Sequence, residues 1–382
     1  MNIKQIFIPE RLKSARIYRG KTIAELAEET GVTKQAISQY ENGKYVPSLE
    51  TLLCLIGVLN FPREYFYKPY KNEIKVGNTF FRSLFTTSKK ERNSQEEKIK
   101  NLSELYGFLE EYVNFPEPDI PELNENNPEK AAIKLRKYWG LGEEPIPNMV
   151  RLLEKKGFIV TSLSSGSNKV DAFSQYQKVN GKEIYFIVLS KEKNSAVRRQ
   201  FDAAHELGHI FLHNFSTDIN EITRDEFRDI EREADDFAAS FLLPADSFIK
   251  DLIYPNKLEF YIELKKKWKV SVAAMIVRAY KLKVISYNTY QYLMRQISSK
   301  NWRKREPLDD VLKVHEPIAL KKAVELLLIN DVLTGPELVR KLMLSESDIE
   351  QLLNLTSGML KSQINDNEVI VELASKRSGS LS

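Results

Sequence analysis

Only four histidines occur in the 382 residues, and three of them, His205, His209 and His213, fall within nine positions. The first two bound the run His205-Glu206-Leu207-Gly208-His209, set among Phe201, Ala203, Ala204, Ile210, Phe211 and Leu212. So apolar a run reads as a buried helix, and 3.6 residues per turn put His205 and His209 one turn apart on one face. Two imidazoles in that position can share a tetrahedral metal. Glu206 beside them can reach the coordination position left open and take a proton from water. The spacing thus demands a buried helix and a neighbouring element that supplies a third donor.

A straight helix carries His213 about 6 Å beyond His209, too far to share a metal held at about 2 Å. We therefore read His213 as a helix-end residue. The better donors are Glu226, Glu231 and Glu233 on a second helix, read as Asp225 to Leu243. Ala234 and Ala238 are small enough to let the two helices approach closely, and Glu231 lies one turn before Ala234 on the same side. Asp235 is placed to hydrogen-bond a ligating histidine. Glu233 stands about 160° from Glu231 on the helical wheel, so only one of them can ligate; Glu231 is preferred and Glu233 is the alternative. The expected set is one zinc ion on His205, His209 and Glu231, with Glu206 as catalytic base. Tyr185 and His213 are the only suggestions for a group that steadies the oxyanion. The competing readings are two core histidines bonded to backbone, or a structural zinc; the latter usually closes with thiolates, and no cysteine is near.

Residues 1–70 read differently, as short helices broken by Gly20, Gly31 and Gly43, with Thr22, Thr33 and Ser48 as N-caps. Two such helices around Gly31 form a helix-turn-helix, whose second helix enters the DNA major groove. That helix offers Thr33, Lys34, Gln35, Ser38 and Gln39 outward, and Ala36, Ile37 and Tyr40 toward the core. Gln35 can read adenine, Lys34 guanine, and Thr33 can reach phosphate. The segment carries ten Lys/Arg against seven Asp/Glu, a net +3. This modest charge predicts modest phosphate attraction, so a homodimer on a double-stranded operator is expected.

Leu26-Ala27, Gly31-Val32-Thr33, Ile37-Ser38, Tyr40-Glu41-Asn42-Gly43-Lys44 and Pro47-Ser48 resemble the helix-turn-helix of the Xre family, which includes lambdoid phage repressors. The resemblance covers about residues 9 to 66. It implies a five-helix lambda-repressor-like fold, with Lys34, Gln35 and Gln39 as base readers and Asn42 and Lys44 as phosphate contacts. Farther along, Gly157-Phe158 to Val160, Asp171-Ala172-Phe173-Ser174, Arg199-Gln200-Phe201, the histidine motif, Leu212-His213, Glu231-Arg232-Glu233-Ala234, Phe237-Ala238-Ala239 and Leu242-Leu243-Pro244 resemble the ImmA/IrrE family of zinc metallopeptidases. This resemblance covers about residues 80 to 250. Members are often fused to, or encoded beside, Xre-type repressors, and several cleave a repressor, which implies a regulatory protein as substrate.

The resulting picture is a multidomain, mainly α chain. Residues 1–70 form the DNA-binding domain, and 71–128 a helical, proline-rich connector. Residues 129–250 form an α+β zincin-like domain with a small sheet, whose strands are read at 158–160, 172–174 and 184–189. Residues 251–382 are a helical region of unassigned role ending in the serine-rich tail Ser375 to Ser382. Within it, Val270 to Met275 reads as packing rather than as a second DNA-reading turn, and Lys300 to Arg305 as a solvated basic flank. The overall balance of 57 basic and 53 acidic side chains neither demands nor excludes nucleic acid. No eighteen-residue apolar run is present and the start lacks a secretion signal, so a cytoplasmic protein is expected. The single cysteine, Cys54, fits a reducing compartment and reads as a small core residue. Two functions compete: a transcription regulator with a working zinc endopeptidase, and a repressor- or antitoxin-like binder whose zincin domain only senses or docks.

Overall fold

The computed structural model describes residues 6–69, 75–81, 88–164, 172–192, 195–213 and 222–361, with strand 75–81 described by its backbone. Asp171 and the serine-rich tail lie outside them. The head is built from α1 (Pro9–Tyr18), α2 (Ile23–Thr30), α3 (Lys34–Glu41), α4 (Leu49–Leu59) and a 3-10 turn, Arg63–Tyr67. Its start and stop signals act as expected. Thr22 and Glu25 form a reciprocal capping box on α2, and Gly31 closes that helix in the left-handed region (φ 68°). A buried bidentate pair, Arg16 to Glu41 at 2.6 and 2.8 Å, locks α1 to α3. Cys54 corrects its expectation, because it is exposed. The apolar run of α4 buries the helical stripe Leu52, Leu55 and Leu59, and Cys54 falls on the other side.

Next come β1 (Lys75–Phe81), α5 (Lys89–Leu109), α6 (Pro128–Tyr138), α7 (Met149–Lys155), β2 (Ile159–Leu163), β3 (Ala172–Val179), β4 (Lys182–Ser190), α8 (Ala196–Leu212) and α9 (Arg224–Leu242). The sheet runs β1-β3-β4-β2, with β2 parallel to β4 and the other pairs antiparallel. Asn180 and Gly181, both at positive φ, close the β3–β4 hairpin as a two-residue turn of the kind that matches strand twist. Three strands answer to the predicted runs. The fourth, β1, comes from the stretch read as connector; its register slips between Val76 and Thr79, a bulge that breaks the alternation a strand normally advertises. The chain ends in α10 (Ala245–Asp251), α11 (Leu258–Trp268), α12 (Val272–Lys281), α13 (Tyr287–Ser299), α14 (Ala319–Ile329), α15 (Gly335–Leu342) and α16 (Glu346–Leu352). Val270, Val272 and Met275 are fully buried, so that segment packs as expected.

The sheet separates two cores. One face, with Phe173, Ile184, Phe186 and Val188, joins the head, α5 and α14–α16 in a single cluster. The other, with Val160, Ala172, Ile187 and Leu189, packs on α6–α13. Residue alternation along β4 supplies both. Polar ties stitch the first core. Asp348 on α16 accepts from the Arg19 guanidinium at 2.5 and 2.7 Å and from the Tyr18 hydroxyl at 3.2 Å. Arg11, only 1% exposed, donates to Glu104 on α5 at 2.7 Å.

Burial pushes the Glu104 carboxyl up, but Arg11 and Lys68 outweigh it and hold the group below its usual value of 4.5. A depressed folded value means that the pair stabilises above pH 4.5 and that this contribution is lost as pH falls through the folded value. Glu104→Leu removes the carboxylate that neutralises the buried Arg11 guanidinium and Lys68, so we expect it to cost about 3–5 kcal/mol at pH 7, read by urea unfolding. The gap from wild type should narrow in acid; a gap that is small at pH 7 or grows in acid contradicts the assignment.

Candidate metal centre and nucleic-acid interface

The histidine motif lies in the middle of α8, and α9 crosses it closely enough that a Cβ on Gly208 would stand 3.2 Å from the Cα and carbonyl oxygen of Ala234 and from Phe237. Ala234 is the small residue expected at this close approach, and its counterpart is Gly208, a glycine inside a helix, the usual sign of close packing. The crossing brings Glu231 over the histidines. His205, His209 and Glu206 are fully buried (0% exposed). The Nε2 atoms of His205 and His209 are 3.0 Å apart, and the Glu231 carboxylate reaches them at 3.4 and 3.2 Å. One ligand atom from each of the three lies within 4.8 Å of the others.

Hydrogen-bond chemistry decides what such a cluster can hold. His205 Nδ1 lies 2.8 Å from Asp235 Oδ1, and a carboxylate only accepts, so Nδ1 carries the proton and Nε2 of the neutral ring is bare. A bare nitrogen facing carboxylate oxygens is a meeting of acceptors, and Glu231 Oε1 indeed has no hydrogen-bond partner. A cation reconciles them. Two donors at about 2.0–2.1 Å from a tetrahedral zinc stand about 3.3 Å apart, the spacing seen here. The residues therefore fit zinc. Burial lowers His209 to about 4, which keeps it neutral.

Glu206 has two buried oxygens without a hydrogen-bond partner. Burial raises its carboxyl to about 8, against the lowering effect of His205 and the nearby Ser174 hydroxyl. Such a group is poised to exchange a proton near neutrality. His213 caps the end of α8 as expected, and turns its Nδ1 to His209 Nδ1 at 3.0 Å, on the side of the ring away from Glu231. Glu233 pairs with His213 at 3.2 Å. The two glutamates thus serve different histidines. Glu226 caps α9 through Thr223. Tyr185 packs between Phe158 and Tyr176.

On the head, Thr33 caps α3 by accepting from Ala36 N at 3.1 Å, which engages its hydroxyl. Thr33, Lys34 and Gln35 are exposed and Ser38 and Gln39 half-buried; Gln35 and Gln39 lie one turn apart on the side of α3 opposite the buried Ile37, with Thr33 and Lys34 at the helix N-terminus. Ala36 and Tyr40 are only half-buried. Asn42 donates one amide hydrogen to the Ser38 carbonyl at 2.7 Å and its Nδ2 lies 3.3 Å from the Ser38 hydroxyl, while Lys44 is exposed.

Residues 12–66 match the helix-turn-helix family model, and residues 153–280 match the IrrE N-terminal-like domain of the M78 peptidases. The HTH-type transcriptional activator BcrR of Enterococcus faecalis is 31% identical over 101 residues, 26% of this chain and 43% of BcrR. The chain thus matches less than half the length of that relative. No helix of the described residues is long and apolar enough to cross a membrane.

Gly208→Ala is expected to lower stability by about 1–2 kcal/mol in denaturant titration, because overpacking at the crossing outweighs the roughly 1 kcal/mol that alanine gains within a helix. A variant as stable as wild type would show that α8 and α9 do not meet this closely.

Proposed function

We propose that this chain, which joins an Xre-like helix-turn-helix to an ImmA/IrrE-like domain, is a DNA-binding regulator whose second domain is a zinc endopeptidase. The observation that carries the reading is the meeting of His205 Nε2, His209 Nε2 and the Glu231 carboxylate, beside a buried Glu206 whose carboxylate oxygens meet no well-formed hydrogen bond among the described residues. Zinc held by those three side chains would acidify a water molecule and polarise a peptide carbonyl. Glu206 takes a proton from the attacking water and returns it to the departing amine. Its burial raises the carboxyl's affinity for a proton, which suits a group that must accept one. Asp235 orients His205. The substrate class is a regulatory protein such as a repressor.

Residues 1–70 are the DNA-binding part and 129–250 the metallopeptidase part, with 71–128 and 251–382 supporting them. Lys34, Gln35 and Gln39 read bases, Thr33 and Ser38 assist at the groove, and Asn42 and Lys44 face phosphates. Support for a homodimer comes from exposed Val46, Leu49 and Leu53, an apolar strip beside α3 that a second copy would cover. A reducing cytoplasm suits both DNA binding and a lone exposed thiol. The partial likeness to a transcriptional activator supports the regulatory role.

A second reading, regulation without turnover, draws on the shared core that makes the head mechanically continuous with the sheet under α8. Cleavage separates the two. Glu206→Gln should retain zinc by metal analysis and lose about 10²–10⁴-fold in the rate at which a neighbouring regulator is cut, followed by intact mass. Equal cutting by the variant sinks the catalytic assignment, and zinc binding without any cutting favours the second reading. For DNA, Gln35→Ala should cost about 1–3 kcal/mol and relax preference at one base pair, whereas Lys44→Ala should weaken all sequences alike and flatten the salt dependence by about one unit. Footprinting that moves with neither variant contradicts this interface.

A further inference from the structure

His213 and Glu233 lie against the metal site without belonging to its ligand set. We infer that they form a relay fixing the tautomer of His209, so that His209 Nε2 presents a bare lone pair to the ion. The consequence for metal binding rests on the zinc reading above; the hydrogen-bond logic does not.

The relay runs from the outside inward. Glu233 Oε2 is 3.2 Å from His213 Nε2, and a carboxylate only accepts, so that nitrogen carries the hydrogen. A neutral imidazole has one N–H, which leaves His213 Nδ1 as an acceptor. His209 Nδ1 lies 3.0 Å from it and must therefore donate. His209 Nε2 is then bare, 3.0 Å from the His205 Nε2 that Asp235 bares in the same way. The reversed arrangement would turn a lone pair of His213 onto the Glu233 carboxylate and leave a hydrogen on His209 Nε2 where the ion would sit. The backbone makes the geometry available. Helix α8 stops at Leu212, and His213 is extended (φ −117°, ψ 142°), so its ring folds back toward His209 rather than standing one turn farther along the axis.

Four histidines in the whole chain make the imidazole nitrogens resolvable by ¹⁵N-detected tautomer spectra of the full-length, histidine-labelled, zinc-free protein. Zinc affinity, measured by competition with a chelating indicator, supplies the second readout. His213→Leu keeps bulk but removes the acceptor, whereas His213→Asn puts an amide oxygen where Nδ1 stood. We expect His209 to be Nδ1-protonated in wild type and His213→Asn and to lose that preference in His213→Leu. Zinc affinity should fall about 10–100-fold in the leucine variant and stay near wild type in the asparagine variant. Glu233→Leu, at a side chain 43% exposed and so tolerant of change, should move both readouts in the leucine direction even if His213→Leu folds poorly. Wild-type tautomer and affinity in His213→Leu or in Glu233→Leu overturn the relay, as does an asparagine variant that behaves like leucine. A wild-type protein that takes up no zinc but shows Nδ1-protonated His209 upholds the relay and removes the zinc reading instead.

Discussion

Where α9 crosses α8, the absence of a side chain at Gly208 lets the backbone of Ala234 come within a distance that any Cβ would contest. Everything at the candidate centre follows from that contact. It lowers Glu231 onto two histidines a turn apart, sets Asp235 against the outer nitrogen of His205, and brings Glu233 to His213. The aromatic rings of Phe237, Phe211 and Phe241 stack beside the crossing, where their burial offsets the cost of keeping polar groups dry. With His205, His209 and Glu206 wholly buried, each unpaired atom is expensive, and the cluster makes physical sense as a cation site.

The sheet connects this centre to the head. Arg199, on the same helix as the histidines, donates to Ser162 on β2, to the Ser190 carbonyl on β4 and to Glu316 ahead of α14. The same β2 is held from its other side, where Thr161 donates to the Leu352 carbonyl and Asn354 bonds both Thr161 and the Ser162 amide. Asp348 on α16 then reaches Arg19 of α1. Buried and part-buried polar contacts, joined through β2 and α16, thus link the helix bearing the histidines to the first helix of the helix-turn-helix head. The candidate centre and the helix-turn-helix head are therefore mechanically connected.

Much of this was legible in the residues because the informative signals are local. Spacing gave the shared face of His205 and His209; Thr22, Gly31 and Ser48 gave the helix ends of the head; small residues gave the side of α9 that packs closely. What escaped was non-local or irregular. The bulge in β1 hid a strand inside an apparent connector. Cys54 looked internal because an apolar run does not by itself say which helical stripe is buried. His213 reads in the sequence as a helix end or an oxyanion helper, and its bond to the back of His209 depends on a chain turn that no pattern announces. Nor does the sequence say that α14–α16 return to share a core with α1.

The central claim is that His205, His209 and Glu231 hold zinc together. Zinc-edge X-ray absorption on the full chain loaded with one equivalent tests it most directly. The account predicts imidazole scattering from two nitrogens and a carboxylate oxygen, all at about 2.0–2.2 Å, with no sulfur. A six-coordinate, water-dominated spectrum without imidazole features, or one dominated by the sulfur of Cys54, would contradict it.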